Sequence, residues 1–149
     1  QKELNIPVFH DDQHGTAVVV LAGILNALKL VNKSLSEIKI VMSGAGAAGI
    51  ATAKLLIEAG ATHLVMTDSK GCIHTGRSDL NPYKASLLSY NRDNTSGTLS
   101  DALHGADVFI GVSQPNIVST EDVTHMSAQP IIFALSNPNP EITSDAAFA

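Results

Sequence analysis

Basic residues are scarce in this chain of 149 residues. Nine Lys and Arg stand against 14 Asp and Glu, for a formal net charge of −5. No stretch gathers positive charge, so the electrostatic footprint of a nucleic-acid binder is missing and no nucleic-acid partner is expected. Mild acidity reads simply as solubility. Cysteine is nearly absent. The single Cys72 excludes an internal disulfide and fits a reducing, cytoplasmic setting. No activating base stands near it in sequence, so it reads as a buried, inert thiol. Long apolar runs are missing too. Ala17 to Leu25 is too short to span a bilayer, Lys29 and Lys33 follow it, and no basic lead-in marks a signal peptide. No membrane partner is expected. There is no internal repeat, low-complexity tract or linker, so residues 1–149 read as one domain.

What is present is apolar. Hydrophobic residues make up 44% and charged residues 15%, a composition rich in buried strand. Ile38-Lys39-Ile40-Val41 is a β-branched run of the kind buried on both faces of a sheet, and it ends at Ser43. Gly44-Ala45-Gly46-Ala47-Ala48-Gly49 follows as G-x-G-x-x-G, and Ile50 lies in a helical run from Ala48 to Ala59. Gly44 permits a tight turn, Gly46 lets a diphosphate approach the backbone, and Gly49 lets helix lie close to strand. The helix start then offers free N–H groups and partial positive charge to that diphosphate. A second strand, His63 to Thr67, ends at Asp68, about where an acid that bonds ribose hydroxyls belongs. Together these predict an α/β chain: a doubly wound parallel sheet, Rossmann-type, binding a dinucleotide. An acid at this position favours NAD. A neighbouring cation, Lys70 or Arg77, can instead accommodate the 2′-phosphate of NADP.

The remaining pattern extends the sheet. Gln1 to Pro7 is polar and turn-like, and Val8-Phe9 could close a short strand. Gln13 to Val31 predicts a helix apolar on most faces, with Ala17, Leu21, Ile24, Leu25 and Leu28 aligned. Such a helix is expected to be buried. Gly60 sits where a C-terminal glycine stop belongs. Asp68 to Pro82 reads as a binding loop, Tyr83 to Ser89 as a helix, and Leu99 to His104 as a helix capped by Thr98 with Asp101. Asp107 to Val112 is a third strand, Thr120 to Met126 a helix, and Pro130 to Leu135 a fourth strand. Ligands of such sheets bind beyond the carboxyl ends of the strands, so the loops at Gly44, Asp68, Ser113 and Asn137 should meet on one edge.

Four further groups bear on chemistry. Asp11-Asp12 at a helix start caps it, or supplies carboxylate to Mg²⁺ or Mn²⁺. His10 and His14 have the spacing of a zinc pair but lack a third ligand. Asn137 is a turn residue, or an amide that holds a substrate carboxylate or hydroxyl. Ser43 stands in S-G-A-G, not in the G-x-S-x-G of a nucleophile elbow.

The segments Val8-Phe9-His10-Asp11-Asp12-Gln13-His14-Gly15-Thr16-Ala17, the glycine turn, Asp68-Ser69-Lys70-Gly71, Leu80-Asn81-Pro82-Tyr83-Lys84 and Phe133-Ala134-Leu135-Ser136-Asn137-Pro138 together resemble bacterial-type malic enzyme, in order and over essentially the whole chain. The resemblance implies oxidative decarboxylation of L-malate to pyruvate and CO₂ with NAD or NADP and a divalent metal. It implies a homo-oligomer for the full-length protein. By the same likeness Asp12 matches a metal-binding aspartate, Asp11 the acid that supports a catalytic lysine, and Asn137 an amide at substrate and nicotinamide. Gly44, Gly46, Ala47, Ala48, Gly49 and Ile50 would hold the diphosphate, Asp68 the adenosine ribose, and Ser113 would line the cleft. Thr16 stands close by. The family's catalytic tyrosine and lysine and a Glu-Asp pair of metal ligands would precede Gln1, so both ends read as cut from something larger and the chain alone is expected to be inactive. Two other readings compete: a module that binds NAD(P) as a sensor without turnover, and the NAD domain of another dehydrogenase, such as one acting on amino acids.

Overall fold

The computed structural model describes residues 3 and 5–149; Gln1, Lys2, Leu4 and the side chain of Asp12 lie outside the described residues. Part of the polar lead-in read from sequence therefore falls outside them. In chain order the elements are α1 (Asp11–Leu30), β1 (Lys39–Ser43), α2 (Ala47–Glu58), β2 (His63–Asp68), β3 (Gly71–Cys72), α3 (Pro82–Ala85), α4 (Leu99–Leu103), β4 (Val108–Gly111), α5 (Thr120–Thr124), β5 (Ile131–Ala134) and α6 (Ser144–Phe148). A 3₁₀ turn at Leu88–Tyr90 follows α3. The sheet runs β3-β2-β1-β4-β5.

Four strands are parallel, and they end level. Ser43 pairs with Thr67 on one side and Gly111 on the other, and Gly111 pairs with Ala134. Gly44, Asp68, Val112 and Leu135 therefore line up along one common rim. Alternation fills both faces. Ile40, Met42, Leu64 and Ile110 pack under α1 and α2, while Val41, Val65 and Phe109 pack with residues of α4, α5 and α6. Helices on both faces of a parallel sheet are the doubly wound arrangement that the strand–helix alternation predicts.

Helix ends are set by local chemistry. Gly60, at φ +113°, closes α2: its N–H donates to Ile57 O at 3.0 Å, and Ala61 N–H donates to Leu56 O at 2.9 Å. Asn32, at φ +53°, does the same for α1, with Lys33 N–H donating to Leu28 O at 3.0 Å. Thr98 and Asp101 form the expected capping box of α4, and Ser119 and Asp122 form another on α5.

The structure departs from the sequence reading in several places. Helix α1 begins at Asp11, and its N-cap is His10 without a side-chain hydrogen bond, so neither Asp11 nor Asp12 is the cap. Nor is α1 buried all round. Ala17, Val20, Ile24 and Leu28 face the core, but Val18, Val19, Leu25 and Leu30 are exposed, Val19 by 71%. A helix laid on one side of a sheet can bury only one stripe. At Gly23 it touches β5, where an added Cβ would come within 2.7 Å of the Phe133 ring. By length and composition Gln13–Leu30 would pass as a membrane span, yet that buried stripe belongs to the core. Val8 and Phe9 form no strand. The helix expected over Tyr83 to Ser89 is split. Asn81 caps α3 through Lys84 N–H at 2.9 Å, and Pro82 takes its first turn. The loop after Asp68 contains β3, antiparallel to β2 and closed by Gly71 at φ +99°.

Candidate dinucleotide site

The three glycines do three different things. Gly44 has φ +112°, and a Cβ there would meet Val112 O at 2.6 Å. Gly49 sits on α2 where a Cβ would overlap the Gly44 carbonyl, so helix and turn are in direct contact. Gly46 is the N-cap of α2 in ordinary extended backbone, φ −88° and ψ −167°, and an added Cβ would meet nothing within 4 Å. Packing explains Gly44 and Gly49. It does not explain Gly46, whose bareness leaves room directly in front of a helix start. The first bond of α2 runs from Ile50 N–H to Gly46 O at 3.0 Å, so the N–H groups of Ala47, Ala48 and Gly49 point out without helical acceptors. Clefts flank the turn. One of about 290 Å³ is lined by Ser43, Gly44, Thr67, Asp68, Ser113 and Gln114. Another of about 630 Å³ is lined by His14, Gly46, Ala47, Lys54 and Tyr83.

Asp68 ends β2 on this rim, and its carboxylate is heavily engaged. Arg77 Nη1 donates to Oδ1 at 2.8 Å and Nη2 to Oδ2 at 3.1 Å; Lys84 Nζ donates to Oδ2 at 2.6 Å, and Lys70 N–H to Oδ1 at 2.9 Å. Burial pushes the Asp68 carboxyl up, but the bonds from Arg77, Lys84 and Lys70 outweigh it and bring it down to about 2. Arg77 and Lys70 also hold Asp79, whose carboxyl is lowered by those bonds. Three cations thus surround two carboxylates. Lys70 reaches Asp68 only through its backbone; its ammonium faces Asp79.

Ser113 lies past β4 and joins its hydroxyl to that of Ser43 at 2.9 Å, which ties it to the glycine turn. Asn137 follows β5 on the same rim. Asp68 and Asn137 are three strands apart, roughly 15 Å at the usual strand spacing. Both lie where strands end on one edge of the sheet. Asp11 is exposed, its carboxylate folded over Gly15 of its own helix. The metal reading of Asp12 rests on a side chain outside the described residues. Among the described residues no group of three His, Cys, Asp or Glu is placed to hold a metal ion. His10 and His14 have no third ligand among the described residues, and His14 Nδ1 is 2.9 Å from the His10 backbone oxygen. Cys72 is buried, as its isolation predicts.

Two participants escape sequence reasoning. Lys84 stands 16 residues after Asp68, on α3, and only the return of that helix over β2 brings it to the carboxylate. Glu141 is wholly buried and accepts hydrogen bonds from the N–H groups of Ser113 and Ser136. Its only sequence signal is an acid just past the Asn-Pro segment.

A bare helix start between two parallel strands, an acid ending the next strand, and open space along a shared rim define a Rossmann-type dinucleotide-binding domain. The comparisons narrow that class. The family model described as malic enzyme, NAD binding domain, matches residues 13–148, and the chain belongs to that family. It is 54% identical over 148 residues to the NAD-dependent malic enzyme of Geobacillus stearothermophilus, covering 99% of this chain and 31% of that protein. It is 53% identical to the NADP-dependent malic enzyme of Halomonas elongata, covering 98% of this chain and 34% of that one. The crystal structure of the NAD-dependent malic enzyme of Thermotoga maritima superposes with a TM-score of 0.93 at 48% identity, over 99% of this chain and 40% of that one. The chain thus spans about a third of the length of these curated relatives. Family membership sets aside the amino-acid dehydrogenase.

Proposed function

We propose that this domain holds NAD or NADP for the oxidative decarboxylation of L-malate to pyruvate and CO₂, in a cytoplasmic protein that is a homo-oligomer at full length. The observation that carries the cofactor half is Gly46, a glycine with no packing reason to be one, set before free helical N–H groups. The diphosphate lies against Gly44 to Ile50, the adenosine ribose beside Asp68, and the nicotinamide end toward Ser113 and Asn137. Bound there, the nicotinamide supplies the hydride acceptor for malate C2. The chain's residues supply orientation and a fixed field: N–H groups for the diphosphate, a charge cluster for the ribose, and an amide at Asn137 for substrate oxygen.

The Mg²⁺ or Mn²⁺ of the proposed reaction needs oxygen ligands beyond a lone carboxylate. Asp12 is the carboxylate this reading assigns to it, and its side chain lies outside the described residues, so no step is assigned to a metal here. Because the chain spans about a third of the length of its relatives, it is expected by itself to bind dinucleotide and not to turn over malate. Titrating it separately with NAD⁺ and NADP⁺, and then adding malate with Mn²⁺, tests both halves. Failure to bind either cofactor overturns the reading, and malate-dependent NADH or NADPH formation overturns the inactivity.

A further inference from the structure

We propose that Glu141 is a positioning residue that fixes the loop carrying Asn137 relative to the cofactor cleft; the proposal rests on the dinucleotide reading above. Its carboxylate is wholly buried, and each oxygen has its own donor. Oε1 accepts Ser113 N–H at 2.9 Å and Oε2 accepts Ser136 N–H at 3.0 Å. The donors come from different loops, one past β4 and one past β5. None of the ion pairs formed among the described residues involves Glu141. Burying a carboxylate without a counter-ion costs stability unless hydrogen bonds offset it, so this one is not there to strengthen the core. What this one accomplishes is a fixed relation between two loops.

The surroundings are built for it. Gly111, the last residue of β4, is a glycine against which the Glu141 side chain lies; any Cβ there would overlap its carboxyl carbon. The backbone on either side is bolted down, with Asn116 N–H donating to Pro140 O at 3.0 Å and Val118 N–H to Glu141 O at 3.1 Å. A chain of bonds follows from Ser136 N–H through Glu141 to Ser113 N–H, and from the Ser113 hydroxyl to Ser43 beside the glycine turn. Asn137 is the next residue after Ser136. The strand pairing brings the two loops to one edge, with Leu135 N–H donating to Gly111 O at 3.0 Å, and the Glu141 carboxylate fixes them beyond it.

Glu141→Gln separates geometry from bulk. The amide has the same shape but only one acceptor oxygen, and its NH₂ faces a second donor, so one loop is released. In the full 149-residue chain, NAD⁺ binding is expected to weaken about tenfold, the scale of one charge-assisted hydrogen bond. AMP, which engages the Asp68 end and the glycine turn but does not reach Asn137, is expected to bind as before. A merely structural role would weaken both alike or neither. Unchanged NAD⁺ affinity, or equal losses for NAD⁺ and AMP, overturns the proposal while the cofactor reading stands. Unaltered chain that binds neither NAD⁺ nor NADP⁺ overturns both. If Glu141→Gln does not fold, amide exchange in the unaltered chain decides: slow exchange at Ser113 and Ser136 is expected, and exchange at exposed-loop rates at either overturns the proposal.

Discussion

Arg77 grips Asp68 with both arms of its guanidinium fork, at 2.8 and 3.1 Å, where each side chain is only 10% exposed. The pair belongs to the proposed ribose site, and Lys84 adds a second cation, donating to Oδ2 at 2.6 Å. Arg77→Ala leaves Asp68 largely buried with one cation in place of two. It is expected to cost about 3 kcal/mol in denaturant unfolding, at the lower end for breaking a buried pair. Lys84→Ala keeps the fork and should cost less. Its effect should show in cofactor choice: removing a cation beside the 2′ position raises the NADP⁺ dissociation constant about tenfold relative to that of NAD⁺. Equal shifts for the two cofactors would show that Lys84 faces away from the 2′ position.

Two glycines of one turn, Gly46 and Gly49, should fail in opposite ways. Gly46→Asp places a favoured capping residue at the start of α2, in backbone that any residue adopts, with nothing to strike. Stability should hold or rise by roughly a few tenths of a kcal/mol. The added negative charge sits where the diphosphate belongs, so binding of NAD⁺ and NADP⁺ should disappear. Gly49→Ala drives a methyl into the Gly44 carbonyl and should destabilise by about 1–3 kcal/mol, as overpacking does. A Gly46→Asp chain that still binds dinucleotide would remove the main support for the site.

How much of this was legible in sequence follows from how local each cause is. Gly44, Gly49, Asp68 and Gly60 are fixed by their own turn or by the helix next door, and a strand–turn–helix pattern reveals them. The common rim follows from alternation alone, since parallel strands joined by helices must end on one side. Lys84 and Glu141 depend on tertiary return: α3 has to swing back over β2, and the segment past β5 has to fold under Gly111. The outer face of α1 misled for a related reason. Val18, Val19 and Leu25 are apolar, but a sequence records what is apolar and not what covers it. β3 is two residues long, and its pairing depends on Gly71 turning the chain, so it reads as loop.

Acid should weaken the fold through Asp68 in a defined window. Its carboxyl has an ordinary value of 3.8 and stands at about 2 in the folded chain. A depressed value means that the folded state favours the charged form. The contribution is full above 3.8, falls as pH drops toward 2, and is gone below it. Linkage gives it about 2 kcal/mol. Other carboxyls, Asp107 and Asp122 among them, are lowered as well, so the total acid sensitivity is larger. Comparing denaturation midpoints against pH for the unaltered chain and Asp68→Asn isolates this part. The two curves should converge as the pH approaches 2, and parallel curves would mean that Asp68 does not titrate as argued.

Cys72 should be a thiol that reagents reach only through unfolding. It is buried in β3, and Sγ donates to Thr98 O at 3.4 Å. Burial pushes its pKa up and the nearby Asp101 adds to this, so the nucleophilic thiolate is disfavoured as well as covered. Alkylation of the folded chain at mildly alkaline pH should be slower than in denaturant by a factor on the order of 100 or more, set by the free energy of opening. The same cysteine then reports on the neighbouring site. It lines a cleft with Asp68, Arg77 and Thr98, so a dinucleotide that binds only the folded chain should slow alkylation further, in proportion to its concentration over its dissociation constant. NAD⁺ slowing the reaction in the unaltered chain but not in Gly46→Asp would join the glycine turn and the Asp68 end into one ligand site. Rapid alkylation of the folded chain would show instead that β3 opens locally and that the proposed ribose site is not held as described.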